Sequence, residues 1–300
     1  MAFVFEEAEK EQIIKRFGRP FWERLTVLLA KYTKAWRLDT LSLIHSFSAN
    51  MLFRCRAEAF GDAILKICVP WDGVLGELYA LQAFGGERFC KLYAFDATDC
   101  VWLEEAVLPG TDLWAVQSLS ERVHIFASVF DGLHSGPKNP ERFPAYGHWV
   151  DRITGYMAAR GDWPELRAYM EEAKRLFHAL EARYNGQWLL HGDLHQENIL
   201  LGENNQYKLI DPKGVTGDAL FDLPRFLINE HDSGCAEGEK RAHTTAAIKM
   251  LSHAAGYPAC DLAAAYCVEM TMANCWSVES GEMPDMEGVR LAHDLVACMR

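Results

Sequence analysis

The stretch WLLHGDLHQENILL, residues 188–201, is followed after a short gap by YKLIDPKG, residues 207–214. Each couples a small apolar run to a polar turn. The first turn carries His191, Asp193 and Asn198, and the second run ends at Asp211. Asp193 stands five residues before Asn198, and Asp211 thirteen beyond it. The apolar segments NILL and KLI predict a two-stranded ribbon. Such a ribbon would gather a carboxylate, an amide and a second carboxylate around one point. Phosphoryl transfer needs a set of this kind, because its transition state spreads negative charge and asks for positioning and electrostatic stabilisation. Asn198 and Asp211 offer the hard oxygen ligands that Mg²⁺ takes alongside nucleotide phosphates. Asp193 would orient the attacking hydroxyl and accept its proton, a task set by geometry more than by basicity.

The same residues have plainer readings. His-x-Asp-x-His also fits a hydrolase metal site, and Asp211-Pro212 also fits a simple turn. His191 reads as a side chain that holds the loop by a backbone hydrogen bond. In GDALFDL, residues 217–223, Asp218 suits a helix cap and Asp222 a structural anchor.

Outward from this stretch, the pattern divides in two. Residues 5–17 and 20–35 have helical spacing, with Pro20 at a helix start. Then LSLIHSF, LFRCRAEAF and AILKICV read as three short strands, WDGVLGELYALQAFGG as a helix ending at Gly85-Gly86, and FCKLYAF and CVWLEEAVL as two more strands. After Pro109-Gly110 the pattern is nearly all helical. Ser118 with Glu121 has capping-box spacing, residues 146–159 and 163–184 make two helices, and helices resume after Asp218 with a polar break at HDSGCAEGEK. This is an α+β arrangement, with a five-stranded antiparallel sheet plus helix followed by a larger helical lobe. The expected boundary gives 1–106 as a nucleotide-binding lobe and 107–300 as a helical lobe with the catalytic loop and acceptor site.

HGDLHQEN with Asp211 behind it resembles the kinase superfamily. Gly192 where protein kinases have Arg, IDPKG in place of Asp-Phe-Gly, and the lack of Ala-Pro-Glu make the chain similar to the aminoglycoside phosphotransferase family, in its streptomycin 6-kinase and hydroxyurea phosphotransferase branch. FGGERF and LEEAVLPG resemble that branch too. The resemblance implies a bilobal protein-kinase-like fold that uses ATP and Mg²⁺, with Asp193 catalytic and Asn198 and Asp211 on the metal. Lys66 in AILKICV shares its strand face with Ile64 and Cys68, so its charge needs a partner. Glu77 on the next helix is the candidate, an arrangement that resembles the lysine–glutamate pair of kinases clamping nucleotide phosphates. The turn SFSANM has no glycine, and Ser48 with its neighbours is the expected phosphate-covering loop. The resemblance also puts the adenine-binding backbone near Glu104, Glu105 and Ala106.

Composition limits the partners. The chain has 300 residues, half of them hydrophobic, and a net charge of −12. The acidity speaks against nucleic acid as a partner. No apolar run reaches the ~18 residues of a membrane span. The acidic start is unlike a signal peptide, and nine cysteines without Cys-x-x-Cys spacing read as reduced thiols of a cytoplasmic protein. An acidic surface suits a cationic small-molecule hydroxyl acceptor. The resemblance implies that acids of the C-terminal helices grip it, with Glu230, Asp232 and Glu269 as the candidates and Trp276 nearby. The leading function is therefore an ATP-dependent kinase of a small hydroxyl compound, an aminoglycoside such as streptomycin, hydroxyurea or an unrelated metabolite. A nucleotide-binding pseudokinase and a protein kinase are the alternatives.

Overall fold

The computed structural model describes residues 3–46, 50–70, 73–231 and 236–299. Ser48 and Asp232 lie outside the described residues. The chain divides into two compact units, Met1–Gly110 with Gly202–Lys208, and Thr111–Leu201 with Leu209–Arg300.

The first unit opens with α1 (Glu7–Phe17) and α2 (Arg19–Ala35), then β1 (Leu38–Ile44), β2 (Asn50–Ala57), β3 (Gly61–Cys68), α3 (Leu75–Phe84), β4 (Leu92–Asp96) and β5 (Val101–Glu105). The strands form an antiparallel sheet in the order β1-β2-β3-β5-β4. Period-two alternation decides which side chains go to which face. Met51, Phe53, Leu65, Ile67, Val101 and Leu103 form one core with Leu25, Leu28, Leu29 and Tyr32 of α2. Cys68 and Trp102, on the opposite face, pack with Leu78 of α3. The two leading helices thus cover one face of the sheet, and α3 packs on the other. Lys66, paired in register with Trp102, lies on the α3 face, as alternation along β3 requires.

The second unit contains α4 (Leu119–Phe130), α5 (Tyr146–Ala158), α6 (Pro164–Glu181), β6 (Trp188–Leu190), β7 (Ile199–Leu201), β8 (Tyr207–Leu209, of which only Leu209 counts with this unit), β9 (Val215–Gly217), α7 (Pro224–His231), α8 (Lys240–Ala255), α9 (Ala259–Glu279) and α10 (Met286–Cys298). β7 and β8 form the ribbon the apolar runs predict, and β6 pairs antiparallel with β9. Helix α9 is buried along most of its length and packs against α6, α7 and α10. One local expectation fails. Ser118 does take the N-cap position of α4, but its side chain makes no capping bond: its hydroxyl meets that of Ser120 at 2.9 Å, and no capping box forms with Glu121. The reciprocal cap appears instead at α1, where the Glu6 N–H donates to Glu9 Oε2 at 2.8 Å. Among the described residues no helix is long and apolar enough to cross a membrane.

The role of α2 is testable by contrasting neighbours on opposite faces. Leu25 is fully buried and Val27 is 66% exposed. In denaturant unfolding, Leu25→Ala should cost about 2–5 kcal/mol and Val27→Ala under about 0.5 kcal/mol. Equal costs would show that α2 does not cover the sheet as described.

Candidate active site

Strand β6 delivers His191 into a loop whose backbone is held at several points. The N–H groups of His191 and Gly192 donate to the two oxygens of Asp222, at 2.8 and 2.7 Å. Asp222 is 1% exposed, and its Oδ2 also meets His134 Nε2 at 2.9 Å. The His191 ring accepts the Asp193 N–H at Nδ1 (3.2 Å) and bonds the Ile210 carbonyl through Nε2 (2.9 Å). A ring that accepts at Nδ1 and donates at Nε2 is the neutral tautomer. Burial, the largest influence, pushes its pKa down to about 4.

His191 also fixes the second acidic position. Its ring holds the Ile210 carbonyl, and its own carbonyl accepts the Lys213 N–H at 2.7 Å. Asp211 lies between these two attachments, in the left-handed region with φ 57°. A non-glycine residue there costs about 1–3 kcal/mol and persists only where its surroundings hold it. The Ile210 N–H donates to the Asn198 carbonyl at 3.1 Å, so the ribbon brings Asp211 beside Asn198 in the chain's path. The Asn198 side chain gives its Nδ2 to the Asp193 carbonyl (2.9 Å), so Oδ1 is the atom that could hold a cation. His195 caps the turn Gln196–Asn198 by accepting the Glu197 N–H at 3.3 Å, a role the sequence left unassigned.

Gly192 explains why this loop departs from the protein-kinase pattern. Its φ is +77°, and a Cβ there would lie 2.9 Å from Val215 Cγ1, 3.1 Å from the Trp149 ring and 3.3 Å from Lys213 Cβ. No larger side chain fits while β9 and the segment around Lys213 pack so close.

Two cations face the Asp193 carboxylate. Lys213 Nζ lies 3.4 Å from Oδ2 and Arg225 Nε 3.3 Å from Oδ1. The His195 ring is also near, with Nε2 at 3.8 Å. Burial alone would raise its pKa, but Arg225 and Lys213 outweigh it and hold the group well below the usual carboxylate range. Asp193 is therefore ionised throughout the physiological range. Sequence reading did not single out Arg225 and Lys213. The available signal was an arginine inside the apolar run FDLPRFLI.

In the first unit, Lys66 Nζ and Glu77 Oε1 lie 2.5 Å apart, with Lys66 1% and Glu77 11% exposed. Lys66 also faces the Trp102 ring at 5.8 Å. Glu104 is buried. The Ala106 N–H points to the Asp62 carbonyl at 3.4 Å, a long bond on the sheet side. Glu105 binds Lys208 at 2.6 Å and the Lys91 N–H at 3.0 Å.

Two of the acids expected to grip the acceptor are already engaged. Glu230 is fully buried and holds Arg122 through both oxygens (2.7 and 2.6 Å), with Gln196 of the catalytic loop at 2.7 Å. Glu269, 2% exposed, accepts from Tyr146 and pairs with Arg225 at 3.0 Å. Both serve as internal counter-charges to Arg122 and Arg225. Asp218 does cap its turn, accepting the Leu220 N–H at 3.0 Å and the Gly186 N–H at 3.1 Å.

The neutral, buried His191 makes stability pH-dependent. Its folded pKa lies below the ordinary 6.5, so the unfolded chain binds the extra proton first. The stabilisation is complete above pH 6.5 and is lost as pH falls towards 4, a total of about 3 kcal/mol. Denaturant unfolding across that window should show the loss, and His191→Asn should show a shallower acid limb. An equally steep limb in the variant would contradict the buried neutral assignment.

The chain is similar to kinases of small molecules. The chain is 30% identical over 280 residues to a hydroxyurea phosphotransferase of Kitasatospora aureofaciens, covering 90% of this chain and 78% of that one. It is 27% identical over 212 residues to a streptomycin 6-kinase of Streptomyces griseus, covering 69% and 67%. Its fold matches the choline kinase LicA of Streptococcus pneumoniae with a TM-score of 0.63 at 15% identity, over 92% of this chain and 99% of that one. It matches the aminoglycoside phosphotransferase APH(4)-Ia with a TM-score of 0.63 at 12% identity, over 92% and 98%. The fold is therefore kinase-like α+β. Residues 36–281 match the aminoglycoside/hydroxyurea antibiotic resistance kinase family, and the chain belongs to that family.

Proposed function

We propose that the protein transfers the γ-phosphoryl group of ATP to a hydroxyl of a small molecule. The observation that carries this reading is the pair of loops tied together by His191, with Asp193 and Asn198 on one and Asp211 on the other. Asp193 orients the acceptor hydroxyl and takes up its proton. Its depressed pKa makes it a weak base, which suits a loose transition state where the proton leaves late.

Nucleotide and metal follow from the donor set. Asn198 Oδ1 and the Asp211 carboxylate are hard oxygens suited to Mg²⁺, and among the described residues no group of three His, Cys, Asp or Glu could hold a metal ion alone. A cation that needs phosphate oxygens to complete its shell fits such a site. Held by Asn198 and Asp211, Mg²⁺ would supply positive charge against the nucleotide phosphates. Lys66, buried and paired with Glu77, would hold the nucleotide phosphates as a fixed charge. The segment Glu104–Ala106 would meet adenine through its backbone, and Ser48 would cover the phosphates. The Ala106 N–H makes only a long contact to the Asp62 carbonyl (3.4 Å), whereas the Glu105 N–H is taken by the Lys91 carbonyl at 2.8 Å, so Ala106 is the better adenine donor.

The nature of the acceptor follows from charge. A cationic acceptor of the streptomycin kind needs accessible carboxylates, and Glu230 and Glu269 are buried against Arg122 and Arg225. A neutral hydroxyl compound of the hydroxyurea kind meets this part of the site without competing for those pairs. Among the expected acceptor acids, this leaves Asp232 as the remaining candidate for a cationic group.

Coupled ADP release with a panel of hydroxyurea, streptomycin, other aminoglycosides and small polyols tests the reading. Release is expected with neutral acceptors above streptomycin, and a response confined to streptomycin would overturn the acceptor assignment. Mg·ATP binding with no response to any acceptor would favour the pseudokinase. With the responding acceptor, Asp193→Ala should lower kcat by about 10²–10⁴-fold while calorimetry finds Mg·ATP affinity little changed. Asp211→Ala should instead weaken Mg·ATP binding by at least about tenfold and leave metal-free ATP binding alone. Unchanged Mg·ATP affinity in Asp211→Ala would remove it from the metal.

A further inference from the structure

Resting on the phosphotransfer reading above, we infer that Lys213 is a further catalytic residue, a cation that bridges the Asp193 carboxylate and the phosphoryl group in transit. Three observations place it there. Lys213 follows Asp211 by two residues, and its N–H is bonded to the His191 carbonyl at 2.7 Å, so its backbone is fixed to the catalytic loop. Its Cβ packs over Gly192, at a distance of 3.3 Å from where a Cβ at that position would sit. Its Nζ ends 3.4 Å from Asp193 Oδ2, and the side chain is 47% exposed. The side chain is thus anchored at its root and nearly half exposed to solvent.

The second cation at Asp193 is built for another task. Arg225 Nε lies 3.3 Å from Asp193 Oδ1 and 3.0 Å from Glu269 Oε1, between two carboxylates, and its guanidinium stacks 5.7 Å from the Trp276 ring. One positive charge shared by two negative ones leaves this trio at net −1. Bringing a negatively charged phosphoryl group against an ionised Asp193 would then be repulsive. Lys213 removes that deficit from the open side. As a surface ion pair alone, a contact of this exposure would contribute only about 0–1 kcal/mol, little reason for a lysine stem seated where only glycine fits beneath it.

In the transfer step, the acceptor oxygen forms its bond to the γ-phosphorus as the bond from phosphorus to the β–γ bridging oxygen breaks. ADP leaves with the electron pair of that bond. The hydroxyl proton goes to Asp193 and on to solvent. No oxidant or further reactant is needed. Charge on the equatorial phosphoryl oxygens is opposed by Lys213 at the moment it is nearest Asp193. The interaction grows towards the transition state and therefore contributes to kcat more than to ground-state binding.

The test compares Lys213→Met and Lys213→Arg with the parent protein in binding and in turnover. Lys213→Met should lower kcat by about 10²–10³-fold, with calorimetric affinity for Mg²⁺ and a non-hydrolysable ATP analogue changed by less than about threefold. Binding of MgADP with aluminium fluoride, which mimics the phosphoryl group in transit, should weaken by at least about tenfold. Lys213→Arg should recover part of both losses, and the thermal midpoint of unfolding should stay at the parent's value. Equal aluminium fluoride binding in parent and Lys213→Met, or equal loss of the ATP analogue and of the mimic, would overturn the role of Lys213 alone. A parent protein that binds neither complex would overturn the phosphotransfer reading beneath it.

Discussion

The His191 side chain and backbone make the hydrogen bonds on which the rest of the site depends. Its ring accepts the Asp193 N–H and donates to the Ile210 carbonyl, its carbonyl receives the Lys213 N–H, and its own N–H is taken by Asp222. One buried residue therefore sets the direction of the loop bearing Asp193 and pins both flanks of Asp211. The left-handed backbone at Asp211 persists because it is bracketed in this way. Neutral imidazole is the side chain that can accept at one nitrogen and donate at the other, and burial keeps it neutral. The Asp222 carboxylate completes the arrangement by receiving two successive N–H groups, each a charge-assisted bond in a dry setting.

Charge compensation is the second theme. The chain is acidic overall, yet acids close to the catalytic loop are matched by cations: Glu230 by Arg122, Glu269 and Asp193 by Arg225, Asp193 again by Lys213. In the first unit Glu77 is matched by Lys66. Removing one partner from such a buried pair strands the other charge. The pairs therefore fix side-chain positions as much as they supply stability. In the function proposed above they favour a neutral acceptor, because the ammonium groups of a polycation would have to displace arginines already in place.

Much of this was legible in the sequence, because the decisive features are local. The spacing of Asp193, Asn198 and Asp211 needs only a loop and a ribbon, both readable from short apolar runs. Strand alternation put Lys66 on the face of Cys68, and that face is the one α3 covers. What escaped reading was non-local. Arg122 reaches Glu230 across 108 positions, and no periodicity announces such a pairing, so Glu230 looked like a free acid. Arg225 and Glu269 are separated in the same way. The pairing of β6 with β9 involves three-residue strands too short to carry a pattern. The capping box at Ser118 was legible but wrong, since a nearby hydroxyl, Ser120, competes for the same oxygen.

The most direct measurement is a crystal structure with Mg²⁺ and a non-hydrolysable ATP analogue. The account predicts a metal ion about 2.1 Å from Asn198 Oδ1 and from an Asp211 carboxylate oxygen, with the terminal phosphate facing Asp193. A nucleotide bound with its metal on other residues, or with its terminal phosphate turned away from Asp193, would contradict it.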